Sequence, residues 1–310
     1  MKSVILIFLD GVGIGKADET ANPFFREEFN FTRKLFGSIP HLENQFLRND
    51  DGIYVFPADA TFNAPGLPQS GTGQTAILCG IDAVKIVGKH FGPFPHSSLN
   101  EVLKEKNIYN ELRKLGFSSV FANAYPPKFF DYLRKGHTRV AATTKAARFG
   151  NIALNTIENL NRGGALSHEI DNSRWIEKLR LPVKKITPET AAENLLSLAE
   201  KFNFVFYEFF YTDHWGHGRN LDFYSRGIKT LNQFLLRLIK NLNAGQTLII
   251  CSDHGNFEDL SVKTHTKNPA FMLSAGENAN IASKKIKTIA DIKSAVIEIL
   301  SKHPQNKLFT

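Results

Sequence analysis

One pattern, used three times, constrains this chain more than any other: a short run of β-branched and apolar residues that stops abruptly at an aspartate. Val4 to Leu9 meets Asp10-Gly11, and Thr247 to Cys251 meets Ser252-Asp253-His254-Gly255. Phe204 to Phe210 runs into Tyr211-Thr212-Asp213-His214-Trp215-Gly216-His217. Apolar runs this short read as buried strands of a parallel sheet. The carboxyl ends of such strands converge in space, and open α/β sheets bind their ligands there. One Asp-His pair beyond a strand is explained equally well as a turn cap. Three strand ends carrying Asp10, Asp213 with His217, and Asp253 with His254, followed by His265 on a loop, call for a common cause.

Carboxylates and imidazoles buried at a sheet edge are costly unless their charge is compensated, and a divalent metal is the usual compensator. This mixture of oxygen and nitrogen ligands suits zinc or manganese and is too rich in nitrogen for calcium or magnesium alone. Six ligands also exceed what one tetrahedral ion takes. Two divalent ions are therefore expected, the arrangement that clamps both oxygens of an in-line phosphoryl displacement.

With 310 residues and 42% hydrophobic content, the chain can bury a sizeable core as one large domain or a domain with an insert. Lys plus Arg exceed Asp plus Glu by 8, which favours an anionic partner. No polybasic run accompanies that excess, so a small phosphorylated molecule explains it as well as nucleic acid does. Cys79 and Cys251 are too few for a disulfide framework. A reducing, cytoplasmic setting is expected. The apolar start after Met1-Lys2-Ser3 meets Asp10-Gly11-Val12-Gly13 instead of a small-residue cleavage site, and reads as the first core strand. No apolar run approaches the roughly twenty residues of a membrane helix.

Two glycine-rich stretches imitate nucleotide motifs. Gly11 to Lys16, GVGIGK, has the wrong spacing for a dinucleotide fingerprint, and Asp10 would point a carboxylate at the pyrophosphate. Its glycines more readily let the backbone turn sharply beside a metal. Gly66 to Gly80, GLPQSGTGQTAILCG, carries Gln74 where a P-loop needs lysine. What remains is Ser70 in a glycine-rich turn, with a buried helix read from Thr75 onward. There Ser70 is either an N-cap or a hydroxyl held at the positive end of a helix dipole, where a phosphate is stabilised. No base lies beside it in sequence, and a metal would lower its pKa instead.

Taken as an ordered set, Asp10-Gly11, Ser70-x-x-Gly73, Asp213-x-x-Gly216-His217, Ser252-Asp253-His254-Gly255-Asn256 and His265-Thr266-x-Asn268-Pro269 resemble the alkaline phosphatase superfamily. The likeness is greatest to the metalloenzyme group that includes cofactor-independent phosphoglycerate mutase and phosphopentomutase. It covers about residues 1–92 and 203–273. The resemblance implies an α/β sandwich with a mostly parallel central sheet and two divalent ions. It implies that Ser70 is the nucleophile, transiently phosphorylated. Asp10, Ser70, Asp253 and His254 would hold one ion and Asp213, His217 and His265 the other, while His214 lies next to this set without matching a ligand.

The departures bear on the substrate. The segment from Gly92 to Phe202 is far shorter than the mutase's transferase domain. Within it, Ser98 to Leu115 reads as one amphipathic helix and Ser118 to Ala124 as a strand, leaving 125–185 for a small cap between core segments 1–124 and 186–310. Lys128, Arg134, Lys135, Arg139, Lys145 and Arg148 make that piece basic. Each alone reads as a solvated charge; together over a cleft, some should meet an anion. Lys89, His90, Arg139, Arg148 and Arg219 are the expected substrate contacts. Sulfate ester hydrolysis is not expected, since Ser70 to Gln74 lacks the proline and arginine of a sulfatase setting. Further helices are read at Ala191–Phe202, at Tyr224–Leu242, and after a Thr288-x-x-Asp291 cap, with a loose tail from Ser301. The expected function is hydrolysis of a small phosphomonoester or phosphodiester. A phosphosugar or phosphoglycerate mutase is the alternative, and a non-catalytic basic metal-binding module is a second one.

Overall fold

A computed structural model describes residues 1–302. Its strands are β1 (Ser3–Leu9), β2 (Leu47–Arg48), β3 (Tyr54–Ala58), β4 (Ser119–Phe121), β5 (Phe204–Phe209), β6 (Gln246–Cys251) and β7 (Ala270–Gly276). The helices of the first half are α1 (Phe31–Phe36), α2 (Ser70–Cys79), α3 (Ala83–Val87), α4 (Asn100–Glu105), α5 (Ile108–Lys114), α6 (Pro127–Arg134) and α7 (Ala142–Phe149). Those of the second half are α8 (Ile157–Asn161), α9 (Ser173–Glu177), α10 (Pro188–Ala199), α11 (Tyr211–Gly216), α12 (Leu221–Lys240), α13 (Ala279–Lys285) and α14 (Asp291–Ser301).

All seven strands form one sheet in the order β2-β3-β7-β6-β1-β5-β4. The pairs β6-β1, β1-β5 and β5-β4 are parallel, whereas β7 runs against β6 and β3, and β2 against β3. The fold is thus an α/β sandwich whose centre is parallel and whose far edge is mixed. Side chains alternate across β1, so Ile5, Ile7 and Leu9 face one apolar cluster with Leu195, Leu231 and Phe234 of α10 and α12. Val4, Leu6 and Phe8 face the other, with Ile77 of α2, Tyr109 of α5 and Val296 of α14. Both faces are covered, which is why these strands are apolar throughout rather than alternating.

Several local expectations shift for identifiable reasons. The helix expected over Ser98–Leu115 is broken, because the Asn107 side chain donates to the Leu103 carbonyl at the end of α4 and accepts from the Asn110 amide at the start of α5. The strand expected over Ser118–Ala124 stops at Phe121. Beyond it the Asn123 side-chain amide pairs with the backbone N–H and C=O of Glu208, each at 2.8 Å, in place of a ladder rung. The β3 strand contains Pro57, a residue that argues against a central strand. It is tolerated because β2 pairs only with Tyr54 and Val55, so β3 is an edge at Pro57. The helix expected from Thr75 already begins at Ser70, after Gln69. Asp291 accepts from the Lys287 and Thr288 amides ahead of α14, the acid's half of the expected cap. Ser301 closes α14, and the rest of the expected tail, 303–310, lies outside the described residues.

Residues 125–185 supply α6 to α9. Ala142, Ala146 and Ala147 of α7 are buried in the same cluster as α2 and β1, whereas Leu160, Ala165 and Trp175 form a small cluster of their own with Ala124. Among the described residues, no helix is long and apolar enough to cross a membrane.

Candidate functional site

The ends of β1, β5 and β6 lie side by side at the centre of the sheet, and each delivers an aspartate. Asp10 follows β1 directly, Asp253 follows β6, and Asp213 sits in α11, the short helix that β5 runs into. Asp10, Asp253 and His254 form one buried group whose ligand atoms all lie within 4.8 Å of one another. Asp213, His217 and His265 form a second on the same criterion. In the first, His254 Nε2 is 3.5 Å from Asp10 Oδ1 and 3.5 Å from Asp253 Oδ2. In the second, the Nε2 atoms of His217 and His265 are each 3.4 Å from Asp213 Oδ1. The stacked rings of His254 and His265, centroids 3.8 Å apart, join the two groups. Ser70 Oγ lies 3.1 Å from His254 Nε2 at the first turn of α2.

The donor set fits divalent metal. Each histidine faces a backbone carbonyl with Nδ1: His217 that of Lys263 at 2.8 Å, His265 that of Pro68 at 2.6 Å, His254 that of Gly255 at 3.4 Å. Nδ1–H donation to those carbonyls leaves each Nε2 lone pair aimed into the cluster, the usual outer support of a metal-bound imidazole. Asp10 Oδ1 and Asp253 Oδ2 are buried and have no hydrogen-bond partner. Such orphan carboxylate oxygens are costly without a cation.

Charge within the site tells the same story. Burial drives the Asp10 carboxyl well above the ordinary range, and Asp253, Asp213 and Glu208 push it further. Asp253 is pushed up to about 7, chiefly by burial. Burial pulls His254 down to about 3, with His265 adding to it. Asp213 is also buried, but the neighbouring His265, His254 and His217 outweigh that and hold it below the usual carboxylate range. Without added positive charge, the Asp10 and Asp253 group holds protons that a divalent ion would displace.

Neighbouring residues hold this geometry, among them Asn256, Thr266 and Asn268, which stand in the sequence motifs without a role of their own, and Glu258, which does not stand in them. Asn256 donates to Asp213 Oδ1 at 2.7 Å. The buried Glu258 carboxylate accepts from the Gly13 and Asn256 amides and from the side chains of Thr266 and Asn268, tying the loop after β1 to both ends of the β6–β7 loop. A Cβ on Gly11, at φ +68°, would lie 2.8 Å from Asp213 Oδ1, and one on Gly73 would lie 2.9 Å from Asp253 Cβ. Glycine at these positions lets strand end and helix start approach the carboxylates.

A cavity of about 590 Å³ opens in front of Ser70, Asp10 and Asp213. Arg139 and Arg219 line it, as does His214, whose Nδ1 accepts from Asn220. Lys89, His90 and Arg148 are not brought to it. Arg148 is on the outer face of α7 because the inner face is taken by Ala146 and Ala147, and Lys89 and His90 lie beyond α3. The cavity adds Glu208 and His168. Glu208 interrupts the apolar run of β5, a signal visible in the sequence; burial pushes it up to about 7, and it accepts from Thr143. His168, pulled down to about 4 by burial, makes no hydrogen bond to any described residue.

Comparisons with known proteins agree with this architecture. The phosphopentomutase of Mycoplasmopsis pulmonis is 25% identical over 211 residues, 61% of this chain and 51% of the relative. The 2,3-bisphosphoglycerate-independent phosphoglycerate mutase of Ehrlichia canis is 28% identical over 130 residues, 37% of this chain and 26% of the relative. The matches thus span about half of the first relative's length and about a quarter of the second's. Among solved structures, a Pyrococcus horikoshii protein superposes with a TM-score of 0.57 at 14% identity, covering 98% of both chains. A cold-active alkaline phosphatase from Shewanella sp. reaches 0.52 at 11% identity, covering 97% of this chain and all of that one. These likenesses establish the fold. The family model of the metalloenzyme superfamily matches residues 2–304, and the chain belongs to that superfamily.

Proposed function

We propose that this chain is a metal-dependent phosphoryl-transfer enzyme that works through a phosphoserine at Ser70 and passes the phosphoryl group to water. The observation that carries the proposal is Ser70 Oγ, 3.1 Å from His254 Nε2, facing a cavity beside the paired Asp/His groups. Asp10, Ser70, Asp253 and His254 would hold one divalent ion, zinc or manganese, and Asp213, His217 and His265 a second. When bound, the ions supply Lewis acidity that lowers the pKa of the serine hydroxyl and neutralises charge on the phosphoryl oxygens.

The protein's own groups do the rest. Ser70 Oγ attacks phosphorus in line, the ester P–O bond breaks, and the alcohol leaves with a proton. Attack by water on the phosphoserine then releases inorganic phosphate and restores the hydroxyl. The amides of Thr72 and Gly73 are taken by the Phe91 and Gln69 carbonyls, so the dipole of α2 meets the anion through its first residues. Arg139 and Arg219 on the rim attract the anionic ester. A mutase reading, in which a hydroxyl of the product accepts the group, is supported by the names of the curated relatives.

Acid quenching during turnover should place phosphate on the Ser70 peptide. Thr72 and Thr75 are controls, with hydroxyls that donate to the Gln69 and Gly71 carbonyls. Ser70→Ala should keep its metal and lose turnover by several orders of magnitude. Phosphate on either threonine, or a near-normal Ser70→Ala rate, would remove Ser70 from its role. Isomerised phosphosugar in place of free phosphate would select the mutase.

A further inference from the structure

The cavity has two unlike ends. Asp10, Ser70 and Asp213 form the polar end, while Phe94, Tyr125, Phe129, Tyr132, His168 and Phe210 wall the other. Tyr125, Phe129 and Tyr132 present a row of nearly parallel rings: Tyr125 and Phe129 are 4.2 Å apart at 21°, and Phe129 and Tyr132 are 6.4 Å apart at 21°. His168 and Phe210, 4.9 Å apart, belong to the same wall lining. The α6 helix that carries two of these rings buries none of its residues. An amphipathic helix ordinarily packs its apolar stripe against the core. Here Phe129 packs only partly against the core cluster, and with Tyr132 it also borders the cavity, so part of these rings stays wet until a ligand covers it.

Apart from Arg139, whose guanidinium lies over the Phe94 ring, the aromatic walls offer little to a polyol. The Tyr132 hydroxyl already donates to the Arg139 carbonyl, and the Tyr125 hydroxyl pairs with Thr144. Sugar hydroxyls placed there would lose water without replacing it. A flat ring loses nothing comparable and stacks. The free edge of His168 is available to one polar atom on such a ring. Resting on the phosphoryl-transfer reading above, we infer that the alcohol side of the substrate carries a planar unsaturated ring, as nucleoside and aryl phosphates do, and that this ring sits among the aromatic walls.

Matched esters on the metal-loaded full chain test this. Adenosine 5′-monophosphate and ribose 5-phosphate share a leaving oxygen and differ in the base, while benzyl phosphate and cyclohexylmethyl phosphate differ in ring planarity. The member with the planar unsaturated ring should, in at least one pair, have a kcat/KM about tenfold or more higher, the scale of base-aromatic stacking. Preference within the first pair identifies a nucleoside, and preference within the second alone an aryl ester. Phe129→Ala should shrink the preference, and Phe129→Tyr should restore it. Calorimetry with adenosine against ribose reads the same site without turnover. If phosphate is released but neither pair shows a preference, or the preference is indifferent to both Phe129→Ala and Tyr132→Ala, the inference fails and the reaction stands. If no ester is cleaved yet adenosine binding depends on Phe129, the ring site stands and the reaction fails.

Discussion

At the scale of single residues, the protein places carboxylates where solvent does not reach, and their protonation becomes part of its stability. Glu169 is 1% exposed and accepts from the Trp175 amide. Burial pushes it up to about 7 from the ordinary 4.5. For an acid with a raised folded value, stability is greatest below the unfolded value and is lost as pH rises through the folded one, here between about 4.5 and 7. Urea unfolding of Glu169→Gln should therefore gain on the wild type by roughly 2–3 kcal/mol between pH 5 and pH 8; a constant difference would place the cost elsewhere. Asn256→Ala, which takes the hydrogen bond from Asp213, should weaken one metal site by about 10- to 100-fold in a competition titration. Asp10, Asp213, Asp253 and His254 were legible because each breaks an apolar run. The part played by Asn256 and Glu258 was not, although Asn256 stands in the motif, because a polar residue in a loop gives no sign that it is buried or of what it holds.

Among the elements, α2 is the one whose fit is tightest around the site. Gly73→Ala would bring a methyl group 2.9 Å from Asp253 Cβ. The expected outcome is a folded protein with metal affinity lowered by about tenfold or more, read by calorimetry. The opposite extreme is α6, with no buried residue. Its amides should exchange with solvent much faster than those of α2 and slow when a ligand fills the cavity; equal exchange in the two helices would show that α6 is held by something other than its own packing. Sequence periodicity located α10 and α12 to within a few residues, since both pack a long apolar face on the sheet. It misread the break at Asn107, because the same side-chain amide closes one helix and opens the next. It passed over β3, because Pro57 is acceptable only where a short neighbour leaves an edge.

The whole molecule shows why the centre of the sheet was legible and the cavity was not. Strands covered on both faces must be apolar, and any acid at their ends stands out; the cavity is made of rings from α6, the turn after β5 and the loops around 94, 125 and 168, which a linear reading scatters. The site also concentrates Asp10, Asp213, Asp253 and Glu208, so metal should matter for the fold itself. On the two-site reading, about two equivalents should bind per chain, and Asp213→Ala should bind about one. Each site held at a hundredfold over its Kd adds about 2.7 kcal/mol, so chelation should lower the Tm by several degrees and zinc or manganese should restore it. An unchanged Tm after complete metal removal would contradict the fit of the donor set.

The position of β1 has a consequence in time. Its two neighbours in the sheet, β5 and β6, begin at Phe204 and Gln246, far downstream in the chain. During synthesis β1 therefore leaves the ribosome well before either of these partners, a long wait for a segment as apolar as VILIFL. Asp10 meets His254 only once β6 has followed, so the centre cannot be assembled before then, and an ion held by both could bind only after that.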